Sequence, residues 1–380
     1  MKPIYLDYNA TTPVLPEVVD AMLPFLRDHY GNPSSSHVFG LRTRAAIGAA
    51  REQVAALIEC DPSEVVFTSG GTEANNLGIF GVTEAIPGRR RIVTSAIEHP
   101  ATSRPCAWLG SRGHDLRILG VDGDGRVRPT DAEAVLDEAT ALVAIMHSNN
   151  ETGVLQPIGE LSALAHAVGA RIFTDAAQSV GKVPVSVRDL DVDLLSIAGH
   201  KLYAPKGVGA LYVRRGTPIA PFALGAGHER GLRPGTENVA YLVGLGVACE
   251  VAGRDLTRNA DHQRQLRDQL WTRLQTAIPG LALNGHADLR LPNTLNVRFP
   301  GASGNAVLAG APELAASTGS ACHEGHESAS AVILAMGVES QGAVGSVRLT
   351  LGRTTTGDEI ERAASALIQS WHRIVAEPLS

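Results

Sequence analysis

Apolar and polar positions alternate in blocks as far as Val213, and these blocks predict strands that alternate with helices. Apolar residues at helical spacing predict helices over residues 16–29 and 38–60. Short apolar runs bounded by turn residues predict strands, which cover residues 64–68, 91–95, 116–119 and 142–146 and two runs that end at Asp175 and before Gly199. Such alternation indicates right-handed crossovers and a mostly parallel sheet covered by helices on both faces.

The pattern changes after Val213. Residues 224–236 are too rich in glycine for regular structure, and residues 236–238 predict the start of a helical region that runs with interruptions to about residue 278. The remainder predicts a smaller α+β unit, with strands at 294–299 and 347–351 and helices at 305–308 and 358–375. We therefore expect an α/β protein with a large domain over residues 15–255. Residues 1–14 and 256–380 are expected to form a small domain.

Composition narrows the class of protein. The chain has 380 residues, of which 44% are apolar and 19% charged, as is typical of a soluble globular protein. A net charge of −6 and scattered basic residues give no reason to expect direct nucleic-acid binding. A signal-peptide pattern and a long uncharged apolar segment are both missing from the sequence, so we expect no membrane association and a cytoplasmic location. Four cysteines without a CxxC pair favour a reducing compartment.

Polar side chains follow several of the predicted strands. The carboxyl ends of parallel strands meet at one edge, where ligands bind, and the groups expected there are Gly71, Thr72, His99, Asn150, Asp175, Gln178, His200 and Lys201. Asp175 can hold the protonated ring nitrogen of pyridoxal phosphate, and Lys201 can anchor this cofactor covalently. The turn at Gly71 and Thr72 offers N–H groups to a phosphate. Taken alone, the lysine, His99 and the glycine turn are each more typical of an ordinary surface loop.

Cys322 differs from the other cysteines. Residues 316–330 are small, polar and glycine-bearing, which predicts a surface loop, and His323 and His326 can lower the pKa of the thiol or act as a base. A zinc site from these three residues is a poor alternative, because ligands so close in sequence crowd a tetrahedron. The remaining cysteines lie in apolar helical patterns and are predicted to be buried and inert; they are Cys60, Cys106 and Cys249.

Motifs in a fixed order cover nearly the whole chain, at residues 5–13, 31–35, 68–76, 98–99, 149–153, 175–182, 199–201, 228–236 and 317–322. As a set they resemble those of the NifS/IscS cysteine desulfurases, which are class-V aminotransferase enzymes of pyridoxal phosphate fold type I. The resemblance implies a homodimer that uses pyridoxal phosphate to convert L-cysteine to L-alanine. It also implies a persulfide on Cys322, which passes to a sulfur-acceptor protein.

The resemblance assigns a role to each matching position. Lys201 would hold the cofactor, Asp175 would pair with its pyridinium nitrogen, and Gln178 would hydrogen-bond the ring hydroxyl. His99 would stack on the ring and take part in proton transfer. The implied phosphate ligands are Gly71, Thr72 and His200, together with Thr236 of the partner subunit. Asn150 and Arg348 would bind the substrate carboxylate, and Cys322 would attack the substrate sulfur.

Two departures from the family pattern leave alternatives open. Ala198 stands where relatives often have a phosphate-binding serine, and the stretch after Cys322 is rich in histidine. A selenocysteine lyase and a class-V aminotransferase are the nearest rival enzymes, and a sulfur carrier or scaffold without turnover is the alternative outside catalysis. Iron–sulfur assembly, tRNA thiolation and DNA phosphorothioation all remain open as destinations of the sulfur.

Overall fold

The computed structural model describes residues 3–319 and 329–376. Its strands are β1 (Ile4–Tyr5), β2 (Val65–Thr68), β3 (Arg91–Ser95), β4 (Asp115–Leu119), β5 (Thr140–Ala144), β6 (Arg171–Asp175), β7 (Leu194–Ala198), β8 (Gly209–Val213), β9 (Ala282–Leu283), β10 (Thr294–Arg298), β11 (Leu314–Ala315) and β12 (Ser346–Thr350). Its helices are α1 (Pro16–Arg27), α2 (Val38–Ile58), α3 (Gly71–Ala85), α4 (Pro100–Ser111), α5 (Pro129–Glu133), α6 (Ile158–Ala167), α7 (Val239–Ala277), α8 (Gly304–Ala309), α9 (Ala331–Ala335), α10 (Ser340–Ala343) and α11 (Gly357–Ala376).

The largest sheet is mostly parallel, as predicted. Its strand order is β2-β8-β7-β6-β5-β3-β4. Strand β8 runs antiparallel to both of its neighbours, and the other neighbouring pairs are parallel. The carboxyl ends of β2, β3, β5, β6 and β7 therefore share one edge. The sequence does not predict the reversed direction of β8, because an apolar run of five residues looks alike in either direction.

Helices cover both faces of this sheet because side chains alternate along each strand. In β2, Val65 and Phe67 pack into one core and Val66 packs into the other. The first core also contains Val54 of α2, and the second contains Leu77 of α3. These observations confirm the predicted α/β class with a two-sided sheet.

A second, antiparallel sheet has its own core. Its order is β12-β10-β9, and Val297 and Leu349 pack there with Leu270 of α7 and Leu367 of α11. Helix α7 also contributes Leu245 to the first core of the large sheet. At 39 residues, α7 is about 58 Å long, so this single helix joins the two cores.

Several element bounds differ from the predictions. The interruptions predicted after residue 238 are wrong, because α7 is continuous from Val239 to Ala277. The division predicted after residue 255 stays a prediction, and that position lies inside α7. The two-residue strands β1, β9 and β11 were not predicted, since they are too short to show a period.

Among the helices of residues 3–319 and 329–376, none combines the length and the apolar composition needed to cross a lipid bilayer.

Candidate active site

A cavity of about 740 Å³ lies at the carboxyl edge of the large sheet. The structure brings together on its wall nine of the predicted residues, Gly71, Thr72, His99, Asn150, Asp175, Gln178, His200, Lys201 and Arg348. Strand β6 ends at Asp175, and strand β7 ends at Ala198, three residues before Lys201. Helices α3 and α4 begin at the same edge. The sheet thus collects residues that are far apart in sequence.

Asp175 is the last residue of β6, and its carboxylate is fixed from two sides. Oδ2 accepts a hydrogen bond from Asn75 Nδ2 at 2.7 Å, and Oδ1 accepts one from the N–H of Ala177 at 2.9 Å. Asn75 is fully buried on α3 and also donates to Thr102. Since a carboxylate accepts about four hydrogen bonds, Asp175 keeps free acceptor capacity on the cavity wall.

Lys201 follows β7 on a short helical turn, and its amine is held by main-chain oxygens. Nζ donates to the carbonyl of Asn9 and, at 2.8 Å, to the carbonyl of Ala10. Burial and the nearby charge of Arg348 lower the pKa of Lys201 to about 8, although Asp175 opposes the shift. A substantial fraction of the amine is therefore neutral near pH 7–8 and is able to act as a nucleophile or base.

Asn9 joins several parts of the site, and the sequence analysis did not predict its role. Its side chain is buried, its carbonyl also accepts from Gln178 Nε2 at 3.0 Å, and its Nδ2 donates to Thr294 at 2.9 Å. Its Oδ1 accepts from Lys182 at 3.1 Å and from Asn293 at 3.0 Å. Asn9 thus connects the groups of the large sheet to β10 of the second sheet.

A second lysine, Lys182, lies buried behind the cavity wall. Its Nζ donates to Gln178 Oε1 at 2.9 Å and to Asn9 Oδ1. Burial lowers the pKa of Lys182 well below its usual value, and the charges of Lys201 and Arg348 add to this effect. The spacing of four residues from Gln178 was the signal available in the sequence, since such pairs meet on one face of a helical turn.

The first turn of α3 forms a cradle that fits an anion. Gly70 has a φ of +148°, which an L-residue rarely adopts, and a Cβ on Gly71 would lie 3.2 Å from Cβ of Ala198. On β8, a Cβ on Gly209 would lie 2.7 Å from Cα of Gly70. These close approaches present the N–H groups of Gly71 and Thr72 at a helix N-terminus, where the helix dipole favours negative charge.

Two histidines face the cavity in neutral form. His99 caps α4, with Nδ1 accepting a hydrogen bond from the N–H of Ala101 at 3.1 Å, so its proton lies on Nε2. Desolvation lowers the pKa of His99. The negative charge of Asp175 opposes this shift, and the positive charge of Lys201 adds to it. Desolvation and the charge of Lys201 lower the pKa of His200 to about 4, and its Nδ1 lies 3.2 Å from the Thr11 hydroxyl.

Arg348 lies on β12 and also lines the cavity. One of its terminal nitrogens donates to the carbonyl of Asn150 at 3.0 Å, and the other pairs with Asp7 at 2.7 Å. Nε of Arg348 is buried, and among the described residues it has no partner. A guanidinium fixed in this way can bind a carboxylate in bidentate fashion.

One predicted residue is described but lies off the cavity wall, and another lies outside the described residues. Thr236 does not line the cavity formed by the described residues, and the resemblance places it in the site of the partner subunit. Cys322, with His323 and His326, lies outside the described residues. The other predictions about cysteines can be compared with the structure: Cys106 and Cys249 are buried, and Cys60 is half-buried.

The depressed pKa of Lys182 predicts a pH dependence of stability. Lys182 takes up a proton on unfolding because its folded pKa is depressed, so stability should rise with pH until the unfolded value of 10.5 is reached. The Lys182→Met variant, which keeps Lys201 but has no titrating group at position 182, should lose this slope. The two free energies of unfolding should diverge with rising pH by up to about 1.4 kcal/mol per pH unit. Denaturant unfolding at a series of pH values below 10.5 measures this, and parallel curves would show that Lys182 stays protonated.

The chain is similar to known proteins along nearly its whole length. A family model described as aminotransferase class-V matches residues 4–363. The cysteine desulfurase of Trichormus azollae is 44% identical over 378 residues, which cover 99% of this chain and 94% of that protein. The cysteine desulfurase NifS of Azotobacter vinelandii is 43% identical over 365 residues, which cover 95% and 91%.

Solved structures show the same similarity. A NifS-like protein superposes with a TM-score of 0.91 at 34% identity, covering 99% of this chain and all of that one. SspA, solved in complex with cysteine, superposes with a TM-score of 0.81 at 33% identity, covering 93% of this chain and 99% of that one.

Proposed function

The chain belongs to the cysteine desulfurases of the class-V aminotransferase family, and from this membership we propose that it releases sulfur from L-cysteine with pyridoxal phosphate as cofactor. The products are L-alanine and a persulfide on Cys322. The observation that carries the proposal is that the wall of one cavity brings together Asp175, Lys201, the anion cradle at Gly71 and Thr72, and Arg348.

The residues present fit the cofactor. The first turn of α3 and the closely packed Gly71 suit its phosphate, the free acceptor capacity of Asp175 suits a protonated ring nitrogen, and the amine of Lys201 suits its aldehyde. Gln178 keeps one amide hydrogen beyond its bond to Asn9, which suits the ring hydroxyl. When bound, pyridoxal phosphate supplies an electron-withdrawing ring that stabilises negative charge at Cα of an amino acid.

Each residue of the site then has a defined role in binding or proton transfer. Asp175 keeps a proton on the ring nitrogen, and Lys201 Nζ anchors the cofactor and moves protons at the substrate. His99 covers the ring and holds or releases a proton at Nε2. Arg348 and Asn150 bind the substrate carboxylate, for which Arg348 exchanges its bond to Asp7. His200, Thr72 and Thr236 of the partner subunit complete the phosphate ligands in a homodimer.

The described cysteines support the assignment of the nucleophile to Cys322. Burial raises the pKa of each of Cys60, Cys106 and Cys249 to about 12, so these thiols are protonated at neutral pH. The thiolate of Cys322 forms a bond to the substrate sulfur while the bond from that sulfur to Cβ breaks. The electron pair of the broken bond stays with Cβ, which takes up a proton. L-Cysteine and a thiol thereby give L-alanine and a persulfide.

The sulfur bound to Cys322 must then pass to another molecule. A persulfide is a reactive intermediate, and its transfer requires a sulfur-acceptor protein that reaches Cys322. We propose that transfer occurs in the cytoplasm without direct binding of nucleic acid, which the negative net charge of the chain supports. Iron–sulfur assembly, tRNA thiolation and DNA phosphorothioation are then roles of different acceptors.

The function is tested by incubating the cofactor-loaded protein with L-cysteine and a thiol reductant. Alanine and sulfide should form in equal amounts, and without reductant the peptide that contains Cys322 should gain one sulfur atom by mass spectrometry. An aminotransferase would instead need a keto acid for turnover and would yield no sulfide. A protein that neither binds pyridoxal phosphate nor forms alanine would contradict the proposal and favour a carrier or scaffold.

Ala198 gives a prediction about cofactor affinity. In Ala198→Ser, the added hydroxyl lies at the cradle formed by Gly71 and can donate to the phosphate. One such hydrogen bond contributes about 1 kcal/mol, so the dissociation constant of pyridoxal phosphate should fall about fivefold. Fluorescence titration of the cofactor-free protein measures this. Ser196→Ala, on the same strand but off the cavity wall, is the matched control and should leave the affinity unchanged.

A further inference from the structure

Glu151 contacts both described ends of the segment that contains Cys322. Its side chain is buried, and Oε2 accepts a hydrogen bond from the Ser330 hydroxyl at 2.5 Å. The same oxygen lies so close to Gly319 that a Cβ built there would be 2.6 Å away. Gly319 is the last described residue before Cys322, and Ser330 is the second described residue after it. One carboxylate therefore joins two chain ends that are eleven positions apart in sequence.

The contact at Ser330 requires an acceptor. The hydroxyl oxygen of Ser330 caps α9 by accepting from the N–H groups of Val332 at 3.1 Å and Ile333 at 3.3 Å. Its only hydrogen is thus left to donate, and it is donated to Glu151. Burial raises the pKa of Glu151 to about 6, while the Ser330 bond and the charge of Arg348 oppose the shift. At neutral pH, Glu151 is mostly ionised and accepts strongly.

Gly319 is connected through Ser317 to Arg348, which lines the cavity. Gly319 has a φ of +77° and donates its N–H to Ser317 Oγ at 3.1 Å. The main chain of Ser317 pairs with that of Arg348, whose N–H donates to the carbonyl of Ser317 at 2.7 Å. A side chain at position 319 would collide with Glu151 and strain the backbone, so glycine is required there.

The backbone of Glu151 is itself fixed. Its N–H donates to Asn149 Oδ1 at 2.8 Å, and its carbonyl accepts from Asn296 at 3.1 Å. It directly follows Asn150, whose carbonyl accepts from Arg348. The carboxylate therefore stands at a defined place between the residues proposed to bind the substrate carboxylate and the ends of the segment.

We propose that Glu151 is a positioning residue that fixes both ends of the Cys322 segment relative to Arg348 and Asn150, and so sets the place from which Cys322 reaches the substrate sulfur. The inference deepens the proposed function and rests on it. Glu151 contacts neither substrate nor cofactor in this role. It acts on the sulfur-transfer step and leaves the binding of cysteine to other residues.

The test compares Glu151→Ala and Ser330→Asp with the conservative variants Glu151→Gln and Ser330→Thr in the cofactor-loaded protein. Asp caps helices about as well as Ser, so Ser330→Asp keeps α9 but sets a second carboxylate against Glu151. We expect kcat for sulfide release to fall at least about tenfold in Glu151→Ala and Ser330→Asp. KM for cysteine and cofactor affinity should stay within about twofold of wild type. Glu151→Gln and Ser330→Thr, which keep an acceptor and a donor, should retain most of kcat.

A second measurement does not depend on turnover. The rate at which iodoacetamide alkylates Cys322, followed by mass spectrometry of its peptide, should change in Glu151→Ala and be kept in Glu151→Gln. Ser370→Ala removes a buried hydrogen bond to the carbonyl of Val307, in the core of the second sheet. It should leave both the alkylation rate and kcat unchanged. Wild-type kcat and alkylation in both Glu151→Ala and Ser330→Asp would overturn the inference. A wild-type protein that forms no sulfide would instead refute the proposed function, and the alkylation rates would still test the positioning role.

Discussion

Replacing Lys201 with alanine is expected to abolish turnover of L-cysteine and to release the cofactor from covalent attachment. Lys201 brings to the cavity an amine whose pKa is lowered to about 8, and it is held by the carbonyls of Asn9 and Ala10. Loss of its proton transfer alone should lower kcat by roughly 10²–10⁴-fold. Sulfide release measures the rate. Borohydride treatment followed by peptide mapping shows whether the cofactor is fixed to residue 201.

Lys206 offers a matched control, because it is another lysine on the wall of the same cavity. Lys206→Ala should keep a borohydride-fixed cofactor on Lys201. In the wild-type protein, the rate of cofactor loading should rise with pH through about 8, because only the neutral amine attacks an aldehyde and protonation removes it below that pH. Covalent cofactor retained by Lys201→Ala would show that the anchor is a different lysine.

Replacing Cys322 with serine should abolish sulfide release while cofactor binding stays intact. A serine hydroxyl is a poor nucleophile at neutral pH and cannot form a persulfide, so the loss should be on the order of 10³-fold or more. The cofactor contacts at Asp175 and Lys201 come from other elements, and the visible spectrum of the loaded variant should match that of wild type. Addition of L-cysteine should still perturb that spectrum, which separates substrate binding from sulfur transfer.

Cys60→Ser is the control for this experiment, since Cys60 is the half-buried cysteine of the described residues and burial raises its pKa to about 12. It should keep full activity. Sulfide release retained by Cys322→Ser would contradict the persulfide mechanism, and it would favour a lyase that needs no protein thiol.

The strand ends made much of the cavity predictable from sequence. Asp175 and Lys201 each follow an apolar run, and parallel strands bring such ends to one edge. The glycine turn at Gly71 likewise marks a helix N-terminus after a strand. Local patterns were sufficient here because each group follows its own strand. The parallel order of the strands then brings these groups to the same edge of the sheet.

Other parts of the site depend on partners that are distant in sequence. Asn9 appears only as part of a turn cluster, because its partners at positions 293, 294 and 350 lie in or directly beside the second sheet. Lys182 resembles an ordinary surface lysine until its burial is seen. Glu151 shows its contacts with Gly319 and Ser330 only once the ends of that segment are placed. The surroundings of Asn9, Lys182 and Glu151 are therefore set by tertiary packing, which local sequence periodicity does not reveal.

The hydrogen bonds of Asn9 also bear on how the site is assembled during synthesis. Asn9 leaves the ribosome long before Thr294 and Thr350, which fix its side chain and its N–H. The large sheet can form while the chain is still growing, because domains fold as units from the N-terminus. The carbonyl that holds Lys201 is then fixed only after residue 350 has been made. A nascent chain released before residue 350 should therefore contain the sheet and the lysine but lack a firm cofactor site.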